Sequence, residues 1–462
     1  MQSQALNSLR CTIPSAEPRV STSSPARPSR STAAATCTGN TCTSLEVHGR
    51  TRDLSHGGKS SLLQTAGILV WLVASFGITA AAQSQFKSLV SFTGVNGSLP
   101  GIGALVQGAD GTFYGTTYFG GPAGVGTVFK VTPSGALTSL YSFCRQSPCA
   151  DGEYPMSGLA IGNDGDLYGT TVEGGDHGDG TVYKITPSGV LTTLHSFQPP
   201  PDGSGPAAGL LLGTDGSFYG TTQAGGTNNH GAVFKMTPSG ETIVIYSFTG
   251  GADGDLPYAG VIQTSDGNFY GTTFEGGVYA SGTIYRLTPA GTLTVLYNFC
   301  VEIGCADGEG AVAALLQASD GNFYGTTEGG GNAGAGTFFR LTSDGTYTSL
   351  FSFCGQFLCD AGTQPLGALV EASDGNFYGT TSIGGPYYYY GTVFEITPAG
   401  VLTTLHNFHG RDGTAPWAGL VRGQDGFYYG TTAEGGVAGT WNGNRGTIFR
   451  IDVSHSCATC QP

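Results

Sequence analysis

The chain has 462 residues, of which 79 are glycine and only 11% are charged, and its formal net charge is −14. Residues 1–85 carry a net +4 and residues 86–462 a net −18. An acidic body excludes charge-driven binding to nucleic acid or anionic lipid, both of which need a basic surface. It leaves cations and neutral ligands such as sugars.

Residues 1–59 are rich in Ser, Thr, Ala and Arg without a hydrophobic period, and read as a disordered leader. After Arg50, Arg52 and Lys59 comes an apolar run from Ala66 to Ile78, ending Thr79-Ala80-Ala81-Ala82-Gln83. A basic flank, a short apolar run and an Ala-x-Ala end make residues 60–82 a signal peptide, cleaved after Ala82. The run is shorter than the roughly 20 residues a spanning helix needs, so no membrane anchor is expected after cleavage. The lead is long for a signal, which points to a translation start near Val47.

From there the chain repeats. Asp-Gly-x-Phe-Tyr-Gly-Thr-Thr or a close variant occurs seven times, with tyrosines at 114, 168, 219, 270, 324, 378 and 429. The spacings are 54, 51, 51, 54, 54 and 51 residues, which puts the chain among repeat architectures before any single residue is weighed. In the second unit, Gly158-Leu159-Ala160-Ile161 is a short strand and Asn163-Asp164-Gly165 a hairpin turn. Leu167-Tyr168-Gly169-Thr170-Thr171 is a second strand, whose Gly169 is expected to let a neighbouring backbone approach. A glycine loop leads to a third strand, Gly180 to Thr186. The turn Pro187-Ser188-Gly189 leads to a fourth, Leu191 to Phe197.

Four short antiparallel strands per unit, without helical period, describe one blade of a β-propeller. The seventh unit stops after its third strand at Ile451, while Phe86 to Phe92 precedes the first full unit and matches the missing fourth strand. The fold is therefore expected to be all-β, a seven-bladed β-propeller over residues 86–453. Its N-terminal strand closes the last blade and removes the sheet edges. Residues 454–462 form a C-terminal tail.

Cleavage would remove Cys11, Cys37 and Cys42. Six of the remaining cysteines form Cys-x4-Cys pairs: Cys144 with Cys149, Cys300 with Cys305, and Cys354 with Cys359. They occur only in the 54-residue units, so three extra residues arrive with each pair, as in a stapled loop. Two cysteines without histidine make a poor zinc site, and disulfides imply an oxidising compartment. Cys457 and Cys460 read as a tail disulfide.

The Asp-Gly-x-Phe-Tyr-Gly-Thr-Thr, Gly-Gly, Gly-Thr-Val-Phe-Lys and Thr-Pro-x-Gly blocks resemble the GloVer tandem-repeat family of exported bacterial proteins, over residues 86–453. Members commonly carry a C-terminal anchoring segment and have no established activity. No apolar anchor follows Ile451 here, so simple secretion is expected. The Gly-Gly pairs give a looser similarity to kelch propellers, whose Tyr and Trp positions are not matched.

Loops joining second to third strand, and fourth strand to the next blade, should share one face. The Asp-Gly and Thr-Pro-x-Gly turns should share the other. Asp151, Asp202, Asp253, Asp307 and Asp412 recur on the loop face, either as loop-shaping residues or as an acidic ring able to hold calcium; no known calcium loop is matched, and no cofactor is expected. Lys130, Lys184, Lys235, Arg286, Arg340 and Arg450 share one position in the third strand, which suggests a common pairing with a carboxylate. His195 and His406 stand where other blades have aromatics, and so pack.

The repeat breaks at Pro386-Tyr387-Tyr388-Tyr389-Tyr390, at a longer loop after Thr432 that holds Trp441 and Arg445, and at Trp417. Tyr387, Tyr388, Tyr389, Tyr390, Trp417, Trp441, Arg445 and Asp412 are the candidate ligand-binding residues, since aromatic rings beside polar groups suit sugars or a protein partner. The expected function is non-catalytic binding of an extracellular glycan or protein by a secreted monomer. The alternatives are a polysaccharide lyase or hydrolase using Asp412, His409, Arg411 or Arg445, and a scaffold without small ligand. No catalytic motif is present to assign an enzyme.

Overall fold

The computed structural model describes residues 86–453 except 146–147, 199, 356–358, 388 and 438–444. The leader, the signal segment, Tyr388, Trp441 and the Cys457/Cys460 tail lie outside the described residues.

The described chain is a seven-bladed β-propeller, all β apart from a 3-10 turn at Ile303–Cys305. Blade 2 shows the pattern, with antiparallel strands Ala160–Ile161, Leu167–Thr171, Thr181–Ile185 and Leu191–Ser196 hydrogen-bonded in that order. Phe86–Ser91 pairs antiparallel with Thr447–Ile451 and supplies the fourth strand of blade 7. Blade 1 adds a short strand, Ser98–Pro100, on the end of Phe113–Phe119.

The second and third strands are covered on both sides, and the core lies between blades. Tyr168, Val182 and Phe197 of blade 2 pack with Leu210, Phe218 and Phe234 of blade 3. The second-strand rings of neighbours pack together, stacked for Tyr168 and Phe218 at 4.1 Å and tilted for Phe113 and Tyr429 at 4.1 Å across the closing seam.

The repeated motif accounts for this frame bond by bond. Each Asp-Gly aspartate accepts the N–H two residues on, from Thr112 at Asp110 to Phe427 at Asp425. Six of the seven motif tyrosines then donate the hydroxyl to the same carboxylate, at 2.8 Å for Tyr168 and Asp164. The first threonine reaches the backbone of the next blade, as in Thr116 to Ser157 O at 2.7 Å and Thr380 to Ala418 O at 2.9 Å. The second meets the first threonine of the third strand, Thr171 with Thr181 at 2.8 Å.

Two of the six third-strand cations reach a turn aspartate, Lys184 2.8 Å from Asp164 and Lys235 2.8 Å from Asp215, while Arg450 lies over the Phe427 ring at 4.4 Å. One expectation fails: Gly169 makes room for side chains, not backbone. A Cβ there would lie 2.5 Å from the Tyr183 hydroxyl and 2.8 Å from Leu159. The space is needed because the third-strand ring crosses over the second strand to reach the inner one.

These turns set the acid behaviour of the fold. Burial works against the Asp215 charge, but Lys235, the Ser217 N–H and the Tyr219 hydroxyl together hold its carboxyl at about 2. A carboxyl depressed below the ordinary 3.9 stabilises the fold above that value, and the stabilisation is lost as pH falls through about 2. Lys235→Met should therefore flatten part of the stability loss between about pH 4 and pH 2 in acid titrations followed by circular dichroism. The pair is largely solvent-exposed, so the change should be about 0.5 kcal/mol or less. An unchanged slope would show the lysine to be idle.

Candidate binding face

A bulge recurs in every fourth strand, between Thr193 and His195 in blade 2 and at the matching place in the others. The residue just after it is the aromatic position, and the bulge turns that side chain toward the loop face. There Tyr141 donates to Asp151 at 2.9 Å, Tyr246 to Asp253 at 2.9 Å and Tyr297 to Asp307 at 2.7 Å. His195 and His406 substitute for the tyrosines, with Nε2 2.9 Å from Asp202 and 2.8 Å from Asp412.

The other carboxylate oxygens mostly accept loop N–H groups, among them Cys144 at Asp151 and His409 at Asp412. Where the fourth-strand residue has no polar tip, the latch position holds no aspartate: the counterpart of Asp307 after Phe351 is Ala361, and the counterpart of Asp412 after Val90 is Asn96. The acidic ring is thus a set of loop latches, its oxygens engaged by Tyr, His and backbone donors.

Each latch delivers the chain to the rim of the central channel. Four residues after the latch position in every blade but the fifth comes a proline, and the residue before it adopts a left-handed backbone. The seven residues of this set, Leu99, Tyr154, Gly205, Leu256, Gly310, Gln364 and Ala415, all have φ between 51° and 64°. Only two are glycine, although a side chain there is disfavoured. The conformation is fixed by bonds in two directions: Tyr154 N–H donates to Val125 O of blade 1 and Tyr154 O accepts from Val172 of blade 2.

The residue that meets this bridge follows the motif. It lies in the frame Gly-Thr-Thr-X-X-Gly-Gly, and it is Tyr118, Val172, Gln223, Phe274, Glu328, Ser382 and Ala433 in turn. The frame is constant and this position never repeats. Setting the seven copies in register would have marked it from sequence alone; attention to loop length and tryptophan did not.

Two sectors of the rim combine rings and carboxylates. Tyr118 stacks on Tyr154 at 5.1 Å, with Phe119 edge-on to Tyr154 at 5.6 Å. Burial and the nearby Glu173 push the Tyr118 hydroxyl up to about 12, and burial with Glu173 and Asp151 raises the Glu153 carboxyl. Between blades 4 and 5, Tyr258 lies edge-on to Phe274 at 5.5 Å. Burial and Glu309 raise the Glu328 carboxyl there. Among the described residues Arg145, Arg411 and Arg445 are the only Lys or Arg in the loops of this face, so most of the negative charge gathers on it.

The residues singled out from sequence lie in blades 6 and 7. Tyr387 and Tyr389 are exposed, at 56% and 74%, while Tyr390 packs against the core between blades 6 and 7 and its ring lies 6.4 Å from that of Tyr387. Pro386 gives this loop its distinct form. In blades 2, 3, 4, 5 and 7 the Ser or Asn ending the fourth strand accepts an N–H at this point, as Ser196 does from Asp176, and only blade 1, with Pro122, shares the proline. Proline has none, and Asn407 Oδ1 is buried without a donor among the described residues.

Trp417 is half-buried at the channel rim, two residues after Ala415, whose N–H donates to Tyr390 O. Asp412 is buried between His406 and His409. Burial opposes its charge, but bonds from His406 and the His409 N–H hold the carboxyl below the usual range. Arg445 is half-buried beside Gly94. The three Cys-x4-Cys pairs are disulfide-bonded, on the same face.

A family model for the Gloeobacter/Verrucomicrobia repeat matches residues 73–265, 139–314 and 258–460 in three overlapping passes. The chain belongs to this repeat family. In solved structures the repeat's propeller resembles the extracellular domain of a hybrid two component system from B. thetaiotaomicron, at 11% identity and a TM-score of 0.51. That match covers 79% of this chain and 39% of the other, so the repeat chain spans about two fifths of its length.

A glucose dehydrogenase-type oxidoreductase from Thermus thermophilus matches at 17% identity and TM-score 0.38, over 64% of this chain and 95% of that one. A luciferin-regenerating enzyme matches at 10% identity and TM-score 0.41, over 80% and 96%. Likeness at these levels is likeness of fold. The comparison with curated proteins finds no match.

Proposed function

We propose that this member of the repeat family is an exported, non-catalytic binding propeller that recognises an extracellular glycan through its loop face. One observation carries the reading: within a constant Gly-Thr-Thr-X-X-Gly-Gly frame, the channel-rim residue is different in each of the seven blades. A frame that holds still while the residue it presents changes is what a recognition surface requires. Exposed Tyr387 and Tyr389 add flat rings of the kind that stack on sugars, and the three disulfides fit an oxidising compartment.

The lyase or hydrolase alternative has less support. Asp412 is committed to His406 and His409, which leaves it no oxygen to act as a free base.

The test is a glycan array probed with the wild type and with Trp417→Ala, Tyr387→Ala and Tyr389→Ala. Loss of an aromatic platform should weaken binding about tenfold or more. Undiminished binding by all three variants would remove these residues from the site. Failure of the wild type to bind any glycan would turn the reading toward a protein partner.

A further inference from the structure

At the seam where the ring closes, a groove of about 550 Å³ opens between blades 7 and 1, lined by Thr93, Gly94, Val95, Ser98, Phe119 and Arg445 among others. We propose that it reads the carboxylate of a uronic acid unit on an otherwise neutral glycan, with Arg445 as the reader. The proposal rests on the glycan reading above and names the sugar class for one part of that face.

Arg445 is placed for this by the seam itself. Its guanidinium lies against Gly94, where a Cβ would fall 2.6 Å from Nη1, so the glycine is what leaves it room. The Arg445 carbonyl accepts the Leu99 N–H at 3.1 Å, which ties the residue to blade 1. No carboxylate of the described residues comes within 4.0 Å of the guanidinium. Among the described residues of a face crowded with acidic groups, nothing accepts from the five donors of this half-buried cation.

A guanidinium fork matches a planar carboxylate with two parallel bonds. Phe119, 40% exposed in the same groove, offers a ring to the C–H face of a sugar. The volume suits a short oligosaccharide. Glu434 and the other carboxylates of the face repel a continuous polyanion, which selects an isolated uronate over a polyuronate chain.

Three probes test this by titration calorimetry or saturation-transfer NMR: a xylo-oligosaccharide capped with glucuronic acid, the same oligosaccharide without the cap, and polygalacturonate. The wild type should bind the capped sugar at least about tenfold more tightly than the neutral one, as expected for a charge-assisted bidentate pair. Arg445→Gln should erase that preference and keep the melting temperature. Phe119→Ala should weaken both sugars alike.

Equal binding of capped and neutral sugars by the wild type, or a preference that survives in Arg445→Gln, overturns the proposal and leaves the glycan reading standing. So does polygalacturonate binding as tightly as the capped sugar. If neither oligosaccharide nor any array glycan binds, both fall together.

Discussion

Gly103→Ala is expected to cost about 3 kcal/mol of stability or more, or to prevent folding. A Cβ on Gly103 would lie 1.6 Å from the Gly158 backbone N and 2.3 Å from its Cα. Both are main-chain atoms of the neighbouring blade, so no rotamer change relieves the overlap, and the two inner strands must part at the channel. Gly209 is the informative control. It lies just before the inner strand Leu211–Leu212, and its Cβ would sit 3.4 Å from the Gly158 carbonyl oxygen, an ordinary contact. Gly209→Ala should therefore stay within about 0.5 kcal/mol of the wild type. Thermal unfolding followed by far-UV circular dichroism reads both, and similar melting temperatures for the two variants would show the channel to be looser than its backbone spacing implies.

The seam carries the second large effect. Phe92, at the end of the closing strand, is fully buried and packs edge-on to Phe129 at 5.2 Å. Phe197 has the same place in blade 2, equally buried and 5.3 Å from Phe234. Phe92→Ala and Phe197→Ala should each cost about 3–5 kcal/mol, but the routes of failure should differ. Between blades 2 and 3 the chain is continuous, whereas blade 7 is held shut by one strand, with Phe86 stacked on His406 at 3.6 Å. Limited proteolysis of Phe92→Ala should nick the chain near residues 86–100 at temperatures where Phe197→Ala is still intact. The same cleavage pattern in both would mean that the ring has no weak point at its closure.

The frame was legible because its signals are local and repeated. Asp-Gly turns, glycine-bounded strands and a missing fourth strand each follow from the chemistry of a few adjacent residues, and seven copies make the pattern plain. A common pairing of the third-strand cations with carboxylates was also expected, and it is met only by Lys184 and Lys235, at the turn aspartates. Gly169 was misjudged because propeller strands bury rings across one another, and nothing in a single strand says which neighbour will fill the space.

The site was less legible. The channel rim is assembled from residues about twenty positions apart in sequence, such as Tyr154 and Val172, or from adjacent blades, such as Tyr118 and Tyr154. Its left-handed bridge falls on leucine, tyrosine, glutamine and alanine, residues that carry no turn signature. Length differences and tryptophans pointed to blades 6 and 7, and the exposed Tyr387 and Tyr389 are there. A column-by-column reading of the copies would have pointed to the whole rim.

The bulge-borne latch has a consequence for how such a protein can change. Tyr141 and Asp151, or Tyr246 and Asp253, lie within a dozen residues of each other, so duplication of a unit copies donor and acceptor together. Loss of the donor at Phe351 coincides with loss of the acceptor at Ala361, which avoids burying an unpaired carboxylate. Each of the five latched blades is thus a self-contained cassette with its own fastening. Its rim residue can drift without disturbing the other six, and a lineage can rewrite its ligand one blade at a time.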